Sequence, residues 1–136
     1  DHVPALFNLG QTLKKAGQAA LALEAFEKAA QQGPDDPMLR VPLVEILLEG
    51  EEWEKALQAA GQLVNNFPRF AQGYYLEGFA LWRLGRLEES LSRTRQASAL
   101  DSDRADHHRL AAQILQALGR PDEAQKELEA ARKLEQ

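Results

Sequence analysis

The stretch from residue 3 to residue 34, VPALFNLGQTLKKAGQAALALEAFEKAAQQGP, decides the fold. Leu6, Leu9 and Leu13 recur at three-and-four spacing before Gly17, and Ala22, Leu23, Phe26, Ala29 and Ala30 do so after it. That period puts each set on one face of a helix. Gly17 marks a tight turn between the helices, and Pro34 breaks the chain after the second. The segment therefore reads as helix, turn, helix, with two apolar faces that must meet. Strand-like alternation is absent.

Stepping outward by 34 residues reproduces the pattern, which is the signature of a stack of small units. Leu13, Leu47, Leu81 and Leu115 hold the same place in successive units. Ala22, Ala56, Ser90 and Ala124 share another, Ala29, Leu63, Ala97 and Ala131 a third, and Gly10, Val44, Gly78 and Ala112 a fourth. These mostly small residues are expected where the two helices of a pair cross closely. Gly17, Gly50, Gly85 and Gly119 recur as turn glycines, shifted by one place in the second unit, while Pro34, Pro68 and the polar Ser102 mark the breaks between units. One helix pair buries too little surface to fold alone, whereas about three or more stacked pairs share a continuous core. The chain of 136 residues is accordingly expected to be all-α, a single array with repeats at 3–36, 37–70, 71–104 and 105–136.

Pro42 conflicts with that pattern, because a proline inside a helix loses a backbone bond and crowds the preceding turn, at a cost of about 3 kcal/mol. Asp36 and Pro37 look like a cap and a first-turn proline. The expected remedies are a helix that becomes regular only from about Val41, or a bend at Pro42.

On these residues the chain resembles the tetratricopeptide repeat family. The first repeat carries Leu9, Gly10, Gly17, Ala22, Phe26, Ala29 and Pro34; the second keeps Leu43, Ala56 and Pro68, the third Tyr74, Gly78, Gly85 and Ala97, and the fourth Gly119, Ala124 and Ala131. Departures are Leu6 and Leu13 for the usual aromatics, Glu77 for the usual leucine, and Arg40 and His108 for aromatics. The resemblance implies an α-solenoid of antiparallel helix pairs, about eight helices wound into a right-handed superhelix. It further implies a non-catalytic scaffold whose first helices line a concave groove for a peptide or helix of a partner protein.

In the family's pattern, five places per repeat face that groove. Here they hold Pro4, Phe7, Gln11, Lys14 and Lys15; Met38, Val41, Glu45, Leu48 and Glu49; Gln72, Tyr75, Phe79, Trp82 and Arg83; Asp106, Arg109, Gln113, Gln116 and Ala117. Phe7, Val41, Leu48, Tyr75, Phe79 and Trp82 would give an apolar patch, with Gln11 and Glu45 beside it and Arg83 and Arg109 at a charged rim, the make-up of an interface core. The alternative is that the aromatics pack between helices as core. The expected ligand is an apolar or amphipathic segment. Family members that clamp a terminal carboxylate use charged and amide residues where this chain has Phe7, Gln11, Pro42, Gln72 and Leu76, so that clamp is not built here.

Other function classes find little support. A net charge of −5, with no repeat net positive, works against nucleic acid and anionic lipid. No apolar run is long enough to cross a bilayer. Zero cysteines exclude disulfides, thiolate zinc sites and a cysteine nucleophile, and leave the compartment open between cytoplasm and periplasm. His107 and His108 are adjacent on one helix and point apart, so they read as a solvated helix start rather than metal ligands. Glu49, Glu51, Glu52 and Glu54 lack calcium-loop spacing and read as a solvated turn. Arg83, Arg86, Arg93 and Arg95 offer positive charge to an acidic partner, diluted by Glu88 and Glu89. No phosphate loop is present, no cofactor is expected, and the chain is not expected to be an enzyme.

The ends add two alternatives. The last helix is polar enough to cap the stack, whereas Val3, Leu6 and Phe7 at the first helix are less protected, so self-association through the terminal repeats is one alternative function. Starting at Asp1 rather than Met, the chain reads as an excised piece, and a regulatory module of an enzyme is the other alternative.

Overall fold

The structure, a computed structural model, describes residues 2–136. Two compact units divide the chain, one ending at Glu52 and the other Trp53–Gln136. The first unit holds α1 (Val3–Lys15), α2 (Ala19–Gln32), a 3₁₀ turn (Pro37–Leu39) and α3 (Val41–Glu49). The second holds α4 (Trp53–Asn66), α5 (Ala71–Arg83), α6 (Leu87–Leu100), α7 (Ala105–Ala117) and α8 (Pro121–Leu134). Among the described residues all regular structure is helical, as the periodicity requires.

The four recurring leucines have a backbone role beyond their side chains. Each offers the carbonyl that closes a tight helix end: Gln18 N donates to Leu13 O at 2.9 Å, Glu52 to Leu47 at 2.9 Å, Arg86 to Leu81 at 3.0 Å and Arg120 to Leu115 at 2.9 Å. A second bond inside each turn runs from Gly17 to Lys14, Glu51 to Leu48, Gly85 to Trp82 and Gly119 to Gln116. This pairing requires a left-handed residue just past the helix. Gly17, Gly85 and Gly119 supply it with φ of 78°, 78° and 75°, but in the second repeat it is Glu51, at φ 58°, that does so. Gly50, the turn glycine one place early, sits in the turn at φ −82°.

Pro42 takes the first of its two expected remedies. The Asp36 carboxylate accepts a bond from Met38 N at 3.0 Å and caps the 3₁₀ turn, after which α3 begins at Val41 with Pro42 in its first turn. There the missing donor has no intrahelical partner to lose. The cost is length, since α3 has 9 residues where α1 has 13.

Packing within each unit follows the small-residue places. Gly10 lies against Phe26, which is fully buried with Ala22 and Ile46, and Phe7, Leu13, Leu23 and Leu43 pack around them. Burying a side chain the size of Phe26 contributes about 2–3 kcal/mol. In the second unit Leu91, Leu110, Ala111, Ala112, Ile114, Leu115 and Ala124 form the main cluster. One expectation needs correction: Leu9 is 49% exposed and does not share the buried face of Leu6 and Leu13. Its equivalents Glu77 and Ala111 are buried because α5 and α7 pack against the helices before them, α4 and α6, as well as against their own partners, whereas α1 packs chiefly against α2.

Candidate protein-binding surface

In the first unit, Phe7 is half-buried and meets the Phe26 ring edge-on at 5.5 Å, so most of its ring belongs to the core. Val41 is 4% exposed and so is buried. Gln11, Glu45 and Leu48 are half-buried. Partial burial pushes the Glu45 carboxyl above the usual carboxylate range, with the Lys14 charge opposing that shift. Lys14 itself is engaged, 2.8 Å from Glu49. The first unit thus turns Phe7 and Val41 inward, whereas Met38, at another expected groove place, is 50% exposed, and Leu9 and Leu21 are exposed to a similar degree.

The second unit differs because three of its aromatics lie on top of a core rather than in it. Tyr75, Phe79 and Trp82 fall at i, i+4 and i+7 of α5, one helical face. All three are half-buried and rest on the Leu91, Leu110 and Leu115 cluster. Phe79 and Trp82 meet edge-to-face with centroids 5.4 Å apart, and Tyr75 stacks on His107 at 5.1 Å. An edge-to-face pair contributes about 1 kcal/mol beyond its buried area and fixes both rings. The two roles weighed from sequence, core packing and an open surface, are here combined in the same side chains.

Charge surrounds this face. Arg83, the last residue of α5, is exposed, and its guanidinium lies 4.9 Å from the Trp53 ring centroid and 5.4 Å from that of Trp82. Arg109 is exposed and bound to Glu135 at 2.6 Å. Sequence reasoning passed over Trp53, which opens α4 outside the family's groove places. Its signal was available, since it is one of only two tryptophans in the chain.

The buried polar side chains behave differently from their sequence reading. His107 is 1% exposed, not a solvated helix start. Burial beneath Tyr75 lowers its pKa, an effect larger than the opposing pull of Asp106. Neighbouring His108 instead reaches Glu127 at 2.7 Å and spans α7 to α8. Glu77, in the family's leucine place, is buried with Arg93 3.0 Å away, and burial raises its pKa while Arg93 lowers it. Such a pair contributes more to a defined crossing of α5 and α6 than to net stability.

No side chains here converge as nucleophile, base and oxyanion donor. No group of three or more His, Asp or Glu among the described residues could hold a metal ion. Among the described residues no helix is long and apolar enough to cross a membrane.

Comparison with known proteins agrees with this geometry. The sequence pattern of the tetratricopeptide repeat family matches residues 2–78, and a second pattern of the same family matches 71–96 and 105–130. Among solved structures, the chain is similar to TTC0263, a thermophilic tetratricopeptide repeat protein of Thermus thermophilus, at 28% identity over 98% of this chain and 74% of that one, with a TM-score of 0.84. It also shares its fold with MamA of Desulfovibrio magneticus, at 22% identity over 98% of this chain and 75% of that one, with a TM-score of 0.81. With the family pattern covering more than half of the sequence, the chain belongs to the tetratricopeptide repeat family and is a protein-interaction module.

Proposed function

We propose that the α5 face of Tyr75, Phe79 and Trp82 anchors an apolar or amphipathic peptide or helix from a partner protein, and that the module is non-catalytic. The observation that carries this is the Phe79–Trp82 pair, held edge-to-face on a packed core yet half open to solvent. Rigid aromatics lose little entropy on binding, and clusters of them are where binding energy concentrates. Gln11, Glu45 and Leu48 in the first unit, and Arg109 in the second, are further contact residues in this reading, each within its own unit. Phe7 and Val41 serve it chiefly as support, since their side chains are taken up by packing.

A capture experiment from native extract tests the reading. Wild type and a Phe79→Ala, Trp82→Ala variant are compared, with helicity and melting checked first. Loss of a specific partner in the variant is the expected outcome; unchanged capture removes this surface. Self-association is the second reading, favoured by Leu9 and Leu21, both about half exposed at the first helix pair. A sedimentation profile that stays monomeric as concentration rises counts against it.

A further inference from the structure

Six of the nine arginines of the second unit are ion-paired among the described residues, and Arg69, Arg83 and Arg132 are not. Arg86 pairs with Glu89, Arg93 with Glu77, Arg95 and Arg120 both with Glu123, Arg104 with Asp106 and Arg109 with Glu135. From residue 71 to 120 Arg83 alone has no carboxylate within ion-pair distance among the described residues. It has two indoles instead, Trp53 from α4 and Trp82 from its own helix, at 4.9 and 5.4 Å.

That environment matters chemically. A guanidinium stacked on aromatic faces is held by its plane, while its N–H donors lie around its edge. Its side chain is exposed, so those donors face water in the free protein. The planar fork of donors matches a carboxylate bidentately, which a lysine ammonium does not. Pre-positioning by two rings removes part of the ordering cost of a long side chain on binding. The Phe79–Trp82 pair meets one of the same indoles, so an apolar anchor and a cation lie side by side.

We propose that Arg83 receives an acidic side chain of the partner segment, so that the ligand carries a Glu or Asp next to its apolar anchor. This rests on the reading that the α5 face binds a partner, and it names the chemistry of that partner. Charge complementarity argues for an acidic residue, because Arg83 is the one cation on this face left without a counter-charge among the described residues. Against a chain charge of −5, selection of that residue is local and not a product of long-range attraction. The site is also separate from the terminal-carboxylate clamp of other family members, whose places hold Phe7, Gln11, Pro42, Gln72 and Leu76 here.

Trp53 and Trp82 are the only tryptophans in the chain, so their emission reports on the site directly. The probes are two capped helical peptides with Leu and Phe along one face, one with Glu beside them and a twin with glutamine at every Glu. The Glu peptide is expected to bind wild type about tenfold tighter than its twin, the scale of one hydrogen-bonded charge pair. Arg83→Gln abolishes that preference, so that the variant binds the two peptides equally; Arg83→Lys, which keeps the charge at the helix end, loses most of it. A preference that survives Arg83→Gln overturns the proposal. Equal binding of both peptides to wild type, weakened for both by Phe79→Ala, overturns the proposal while sparing the α5 surface. Failure of either peptide to bind or to change the emission overturns both. Circular dichroism of each variant confirms that it is folded.

Discussion

In the α1–α2 pair Gly10 lies beneath the ring of Phe26, whereas in the α5–α6 pair Gly78 lies beneath Ser90 and Thr94. The glycines occupy equivalent places in their repeats, and so do Phe26 and Thr94. One crossing is sealed by an aromatic ring. The other is bridged by one hydrogen bond, Ser90 Oγ to Gly78 O at 2.6 Å, with Thr94 Oγ1 bonded back to Ser90 O at 2.8 Å within α6. Among the described residues the buried polar ones, Glu77, Ser90, Thr94 and His107, all belong to the second unit. The same helix pair can thus be closed mainly by bulk or with the help of bonding.

Removing the group opposite each glycine separates the two designs most widely. Phe26→Ala is expected to destabilise by about 3–5 kcal/mol, because a fully buried ring leaves a cavity. Thr94→Ala forfeits one net hydrogen bond and a methyl, about 1–2 kcal/mol. Urea unfolding of the two variants measures this, and equal losses would break the comparison.

Filling the glycines comes next. A methyl at Gly10 would lie 2.6 Å from the Phe26 ring, and one at Gly78 would lie 2.5 Å from Thr94 Oγ1 and 3.3 Å from two backbone atoms. Each Gly→Ala change is expected to cost about 1–3 kcal/mol from overpacking, less about 1 kcal/mol of gained helix propensity. Their rescue should differ. Phe26→Leu recovers most of the Gly10→Ala loss, since only a side chain stands in the way, whereas Thr94→Ala recovers less of the Gly78→Ala loss because backbone remains in contact. Melting temperatures of the double variants decide it.

A third contrast lies in pH. His107 has a pKa lowered below 6.5 by burial, so its neutral form is preferred in the folded chain. The stability this contributes is complete above pH 6.5 and is lost as pH falls from there through the lowered value. Glu45 and Glu77 shift the opposite way, and folding gains as they protonate on the way down to pH 4.5. Comparing wild type with His107→Gln from pH 7.5 to 5.5 cancels the two carboxyls. Wild type should lose stability relative to the variant, at no more than about 1.4 kcal/mol per pH unit for one proton. A flat difference would remove His107 from the account.

The smallest effect is in the turn at the end of the first unit. Glu51→Gly should stabilise by about 1 kcal/mol by relieving the left-handed backbone, and Gly50→Ala by about 0.4–1 kcal/mol, since φ −82° suits alanine. The equivalent change at Gly85 should destabilise, and a thermal melt of all three checks the sign.

Much of this was legible in the residues. The 34-residue period placed the helices, and the small residues at Gly10, Ala22, Gly78 and Ser90 marked the crossings because close packing tolerates little else. Periodicity failed at Leu9, because whether that residue is buried depends on a neighbouring helix and is not a local property. At the second turn the 34-residue step from Gly17 falls on Glu51, so the period held and only the glycine stood one place early. For the surface, Tyr75, Phe79, Trp82 and Arg83 could be named from repeat places, but Trp53 and the burial of His107 could not, since both arise from contacts between helices.

The central claim, that the α5 aromatics form the contact surface, meets its most direct test in acrylamide quenching of Trp82 in a Trp53→Phe protein, with and without the purified partner recovered by capture. A bound partner is predicted to shield the half-exposed indole and cut quenching several-fold. Quenching that is unchanged at saturating partner would place the binding surface elsewhere and contradict the account.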